Sequence, residues 1–329
     1  MRRLFPLLLL VVAGFPSSGD APRPRLGPRA DIEAAPVALF PGEPERRTMD
    51  ALTYLGGVRL TSRDPAFGGF SSMILVGDRF TLVSDGGNVV HFRMGADMRP
   101  FDARFADLPD GPGWGWAKGS RDSESMTRDP VSGRVWIGYE NSNSIWRYDG
   151  ALLRAEARRK PAPMQGWDVN GGAEAMVRLR SGAFIVLSEK SNAPGIEGRA
   201  GIWFDGDPTG STVRGFRFGY RPPPGGFDPS DMAELPDGRV LILVRRVSLA
   251  RWFEAKLVLI DPKAIRPGKS IAGKEVAAFT VPATRDNFEA LAVTQEGGAT
   301  ILWIASDDNR LILQRTLLMK FRLDLPRTN

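Results

Sequence analysis

A chain of 329 residues with 42% hydrophobic side chains can bury a substantial core, and its lack of cysteine excludes disulfides, a thiol nucleophile and any thiolate metal site. A single histidine, His91, excludes histidine-phosphatase chemistry and a histidine-rich zinc centre. The net charge of +6 is scattered, apart from Arg154, Arg158, Arg159 and Lys160, which argues against a nucleic-acid partner.

The chain opens with a basic Met1-Arg2-Arg3, an apolar run over residues 4–15 and the small residues Ser17, Ser18 and Gly19. Residues 1–19 read as a secretory signal peptide whose apolar run is too short to span a bilayer. Arg2-Arg3 leaves the export route, general or twin-arginine, open. No later stretch is apolar and long enough for a membrane helix, so the expected product is a monomer in a bacterial periplasm or medium, with no membrane insertion once the leader is removed. Residues 20–48, rich in Pro, Arg and Ala, read as a flexible lead-in to a domain over 49–329.

From there a hairpin pattern recurs. Residues 54–60 form a first strand. Ser71-Ser72 then opens a strand that turns at Gly77-Asp78 and returns to Ser84-Asp85. Glu124 opens the second copy, which turns at Gly133 and ends at Glu140. Glu174 opens the third, with a turn at Ser181-Gly182 and an end at Glu189. Asp231 opens the fourth, with a turn at Asp237-Gly238 and an end at Arg245. Glu289 opens the fifth, with a turn at Gly297-Gly298 and an end at Asp307. Further strands are expected over 89–93, 145–148, 201–204, 216–220, 256–260, 276–281, 311–314 and 317–323. Opening acids at 124, 174, 231 and 289 lie about 50 to 58 residues apart, which is the spacing of β-propeller blades. The expected fold is all-β, a propeller of five or six four-stranded blades. The last repeat lacks an outer strand, and residues 54–60 fill that gap, so the N- and C-terminal strands close the ring.

In a propeller the innermost strands line the axis, so the opening residues Glu124, Glu174, Asp231 and Glu289 meet there, with Ser71 or Ser72 from the first copy. Such carboxylates repel one another unless a metal, a cationic ligand or paired arginines sit between them. Calcium takes six to eight oxygen ligands, which makes Glu124, Glu174, Asp231, Glu289 and Asp307 the candidate metal ligands. Glu174 and Glu289 are candidate catalytic bases, and Arg245 or Arg246 a candidate clamp for a small anionic substrate such as a phosphate ester. The competing structural reading pairs these acids with Arg121, Arg178, Arg245 and Arg285. Loops 109–118, with Trp114 and Trp116, and 221–227, with three prolines, are candidate rims, the tryptophans either stacking on a ligand or packing on a blade. The segment Gly69-Phe70-Ser71-Ser72-Met73 does not make a G-x-S-x-G elbow, and His91 reads as an exposed strand residue, so a serine esterase is disfavoured.

Several of these segments resemble the phytase-like family known for an esterase-like activity of phytase. The resemblance covers residues 50–325. It is carried by Asp228 to Leu241 (DPSDMAELPDGRVL), Asp286 to Leu291 (DNFEAL), Ser306 to Asn309 (SDDN), Gln314 to Leu318 (QRTLL) and Asn170 to Met176 (NGGAEAM). It implies a propeller of about six blades, exported from a bacterium, with a phosphoesterase-type activity. The more distant β-propeller phytases use calcium. The chain departs from the family pattern at Ser125, Ala175 and Ala290, where glycine is usual, and at Val244, where an acid precedes the arginine pair. Three functions compete: metal-assisted phosphate-ester hydrolysis, a lactonase-like metal hydrolase, and a non-catalytic propeller that binds a ligand or partner in the cell envelope.

Overall fold

Five small antiparallel sheets form a ring in the computed structural model, which describes residues 22–115, 117–248 and 252–325. Blade I runs outward through Phe70–Val76, Arg79–Ser84, Asn88–Met94 and Pro100–Asp107. Blade II comprises Ser123–Arg128, Val135–Tyr139, Ser144–Tyr148 and Ala155–Arg159. Blade III comprises Ala173–Arg178, Phe184–Asn192, Arg199–Phe204 and Gly215–Arg221, with Ser270–Ala272 added in parallel at its edge. Blade IV comprises Asp228–Glu234, Val240–Ser248, Trp252–Ile260 and Lys274–Phe279. Blade V is assembled from both ends of the chain. Its first three strands are Phe288–Glu296, Ala299–Ser306 and Leu317–Leu323; Leu52–Thr61 pairs with the last of these, and Glu33–Pro36 lies outside it. That pairing closes the ring as expected. Among the described residues the sheets number five, one fewer than the six blades implied by the family resemblance.

The hairpin turns follow from the sequence. Gly182 and Gly238 sit at φ of 90° and 86°, a region that costs a side chain strain and glycine nothing. Alternating apolar positions place the core in five wedges between neighbouring blades. One wedge packs Phe80 face to face on Phe92 and edge-on against Trp303 of blade V. Each such buried side chain contributes about 1.5–3 kcal/mol, which lets the ring stand without disulfides.

Three expectations change here. The stretch read as a flexible lead-in is packed: Arg23 is buried, donating to Gly86 O at 2.8 Å and Gly115 O at 2.6 Å and pairing with Asp107, while Leu39 and Phe40 fill the wedge between blades IV and V. Residues 311–314 are a turn-rich exposed loop, because no strand offers them a partner. His91 is half-buried opposite Thr81, its Nδ1 3.0 Å from the hydroxyl, and burial holds its pKa down. The signal-peptide segment 1–19 lies outside the described residues. Among those residues no helix is long and apolar enough to cross a membrane.

The strand directions give the ring two unlike faces. One carries the first and third hairpin turns of each blade. The other carries the second-to-third strand turns and the links between blades, and there the axial residues gather.

Candidate functional site

Every innermost strand breaks register at the same place. The slips fall between Phe70 and Ser72, Ser123 and Ser125, Ala173 and Ala175, Pro229 and Asp231, and Phe288 and Ala290. A bulge re-aims the extra residue. The five bulged residues are Ser71, Glu124, Glu174, Ser230 and Glu289. The residue before each bulge pairs with the residue just before Asp85, Glu140, Glu189, Arg245 or Asp307. The mouth therefore has two tiers of five positions, with seven acids, two serines and one arginine.

The acids do meet. Carboxylate oxygens of Asp122, Glu124 and Glu140 lie within 4.8 Å of one another, and so do those of Glu140, Glu174 and Glu189, so Glu140 belongs to both triads. Arg245 reaches in from blade IV. Its Nη2 is 3.4 Å from both Glu174 Oε1 and Glu189 Oε1, and its Nε is 2.9 Å from Glu289 Oε2 as an ion pair. Lys190 Nζ pairs with Glu189 at 3.1 Å, Arg310 Nη2 with Asp85 at 3.3 Å, and Asn287 Nδ2 donates to Glu289 at 2.7 Å. Asn141 donates to Asp122.

Protonation follows from this crowding. Burial, then the charges of Glu174, Asp122 and Glu140, push Glu124 well above the usual carboxylate range. Burial and the Glu189 and Glu289 charges do the same to Glu174, Arg245 opposing them. Glu140 is pushed up to about 8 by burial and by Asp122 and Glu189. Burial, Asp85 and Glu289 raise Asp307. Glu289 is raised less, because Arg245 and Asn287 favour its charged form against burial. Burial works against the charge on Arg245, but Glu289, Glu189 and Glu174 outweigh it and drive its pKa up. These couplings link residues of blades I, II, III and V across one axis, so residues more than two hundred positions apart share a single mouth.

The sequence-derived residues divide accordingly. Glu124 and Glu174 join the triads, Glu289 joins Arg245, and Asp307 sits beside Asp85. Asp231 lies elsewhere. The bulge in its strand is Ser230, so Asp231 turns toward blade V, accepting from Leu291 N and Met232 N at 2.7 Å each. It ties two blades together, as Ser71, Ser125 and Ser230 do by donating to carbonyls of the next blade. Arg246 alternates away from its neighbour, pairing with Glu254, donating to Gly225 O and stacking on Phe227, so it cannot clamp a ligand at the mouth. That contact also anchors the 221–227 loop. Arg178 pairs with Asp129 rather than with an axial acid. Trp114 is exposed on its loop, and Trp116 lies outside the described residues. Asp122, Glu140 and Glu189 were absent from the sequence-derived ligand set, although the repeated strand-end position that yields Glu140 and Glu189 was visible.

Chemically, the mouth is an all-oxygen donor set with more acid than base. Each triad spans a distance compatible with oxygens sharing one calcium-sized ion at 2.3–2.6 Å per bond. The buried Asn287 Oδ1, without a hydrogen-bond partner, adds a neutral oxygen next to Glu289. The residues fit a hard divalent cation and do not fit zinc or a soft metal.

The profile of a family described as phytase-like, with esterase-like activity of phytase, matches residues 65–310. No curated protein matches the chain. Among solved structures, Myxococcus xanthus glutaminyl cyclase is similar at 11% identity and a TM-score of 0.45, over 79% of this chain and 92% of that one. A nidogen/laminin complex is similar at 9% identity and a TM-score of 0.42, over 82% of this chain and 95% of that one.

Proposed function

The chain belongs to the phytase-like family, and from that premise we propose that it is an exported hydrolase whose axial mouth holds a divalent cation, calcium by donor chemistry, and cleaves a small phosphate ester. The observation that carries this reading is the pair of carboxylate triads joined at Glu140. Glu174 and Glu189 already share Arg245, and Glu189 also has Lys190, so we assign the cation to the triad of Asp122, Glu124 and Glu140. A cation bound there would polarise a phosphoryl oxygen and offset the repulsion a phosphate meets from seven axial acids. The leader-like residues 1–19 support export.

The chain's own groups then divide the proton work. Glu289, kept nearer its charged form by Arg245 and Asn287, takes a proton from the attacking water. Glu174, held protonated by burial and its neighbours, gives its proton to the departing ester oxygen as the phosphorus–oxygen bond breaks. Arg245, within 3.4 Å of both glutamates, faces the phosphoryl oxygens and fixes the two carboxyls relative to each other.

The test is turnover of a panel of phosphate esters and lactones, with calcium and with chelator. The reading expects calcium-dependent release of phosphate that Glu289→Gln and Glu124→Gln abolish. Lactone turnover alone would replace the phosphate ester with another substrate, and no turnover of any ester with calcium bound would remove the enzyme reading.

A further inference from the structure

The face that carries the mouth also carries most of the exposed apolar side chains. Thirteen large hydrophobic residues are well exposed among the described residues, and eight stand on the loops or strand ends of this one face. Trp114, 76% exposed, is on the link between blades I and II, and Val169 on the link between II and III. Val247 and Trp252 flank the blade IV hairpin tip, and Val281 is on the link between IV and V. Residues 311–313 form the blade V loop, with Ile312 fully exposed. Random scatter leaves single exposed apolar residues everywhere, whereas concentration on one face marks a contact surface.

The occupant follows from how these tips are arranged. They belong to separate loops spaced around a ring, so no small ligand touches them together. They are isolated tips rather than a continuous patch, which a rigid protein partner would need to match by packing. A fluid surface accepts separate tryptophan and aliphatic tips at once. Between them stand exposed arginines, Arg25, Arg63 and Arg221, each with an ion pair to an acid of the same face. Seven acids of this face are drawn into the axial mouth, while Asp110, Asp168 and Glu197 stay exposed on its loops. Blade IV's hairpin continues three residue pairs past Arg245, from Arg246 with Glu254 to Ser248 with Trp252. At roughly 3.3 Å per residue it stands about 10 Å above the mouth. That is about one Debye length at physiological salt, so the axial acids are partly screened from a surface resting on that hairpin.

We propose that the mouth face docks on an anionic lipid surface, its apolar tips entering the headgroup layer and its rim arginines meeting the lipid charge. This docking is peripheral and independent of catalysis at the mouth. The experiment is sedimentation with vesicles of phosphatidylglycerol and phosphatidylcholine, against phosphatidylcholine alone. The protein is used as an exporting host releases it, its amino terminus sequenced and identical in all variants, so that residues 4–15 do not decide the comparison. We expect binding to the anionic vesicles that weakens with salt. The double variant Trp114→Ala, Ile312→Asp should lower the partition coefficient by about ten-fold. Val131→Asp, on the opposite face, should leave it unchanged, and thermal melts should show both variants folded. The proposal is overturned if wild type stays in the supernatant, or if Val131→Asp weakens binding as much as the rim variant. It is equally overturned if light scattering shows a dimer that Ile312→Asp dissociates while vesicles bind nothing, since the partner is then a second copy of the chain.

Discussion

Glu140→Gln isolates the electrostatic cost of the axial mouth. The amide keeps the size of the side chain and can still donate to Asp122, its neighbour in the first triad. Glu140 has a folded-state pKa of about 8 against an ordinary value of 4.5. An acid with a raised folded pKa keeps its proton longer in the folded chain than in the unfolded one. Between those two pH values the folded state therefore binds more protons, and stability falls as pH rises through that window. The shift corresponds to a ceiling of about 5 kcal/mol above the window. Glu124 and Glu174 retain their own mutual repulsion when Glu140 is neutralised and take part of the relief, so the expected gain near pH 9 is about 2 kcal/mol, or roughly 4 °C in Tm. Near pH 3, below both pKa values, wild-type Glu140 is protonated in both states and the variant should match wild type. The assay is thermal and denaturant unfolding with chelator present at both pH values. A variant that is no more stable than wild type near pH 9, or that changes equally at both pH values, refutes the argument. Added calcium should reverse the order, because only wild type keeps both triads complete.

The other outcomes test separate parts of the mouth. Arg245→Gln should lower stability by about 3–5 kcal/mol near pH 8, since it removes the guanidinium that Glu174, Glu189 and Glu289 share and leaves Glu289 without its closest counterion. Denaturant midpoints should show a smaller loss as pH falls, because Glu289, whose pKa burial raises, takes up a proton and needs the counterion less. Calcium should bind more tightly near pH 8 than near pH 5, and calorimetry in buffers of different ionisation heat should detect protons leaving Glu124 and Glu140. Asp231→Asn should cost about 1–3 kcal/mol by turning one acceptor into a donor facing a backbone N–H, and leave calcium affinity unchanged.

The propeller was legible because its signal is long-range and redundant: five hairpins with the same turn chemistry outvote any single ambiguous strand. The mouth was legible as a region but not residue by residue. Asp231 looked like the fourth copy of Glu124, Glu174 and Glu289, yet a bulge adds one residue, and alternation in sequence cannot say whether Ser230 or Asp231 is the extra one. The same parity separates Arg245 from Arg246, and here the sequence did hold an answer, since Arg245 occupies the strand-end position of Glu140 and Glu189. Composition misled at the edges. Prolines and arginines over 20–48 masked the Leu39-Phe40 pair that docks between blades, and the apolar run 311–313 looked like a strand because nothing in it reveals that no partner waits beside it.

Blade IV is the place where the ring departs from its own repeat, and that departure bears on what the mouth is for. The other four blades contribute seven acids to the two tiers, while blade IV contributes Ser230 and Arg245. If the acids served only to brace the inner strands, each would be expected to have its own donor, as Asp231 has Leu291 N and Met232 N. Instead one guanidinium serves three glutamates, and Glu124 and Glu140 crowd each other and their neighbours until their protons are held well past the usual carboxylate range. Bracing does not account for such crowding, because the serines of the same strands already join blade to blade without charge. A charge excess that lowers stability, placed where five hydrophobic wedges can tolerate it, agrees with the cation site proposed at this mouth. Arg245 then has a second consequence: by holding Glu174 and Glu289 on one side of the axis, it leaves Glu140, the residue the two triads share, to meet the charges of both Asp122 and Glu189.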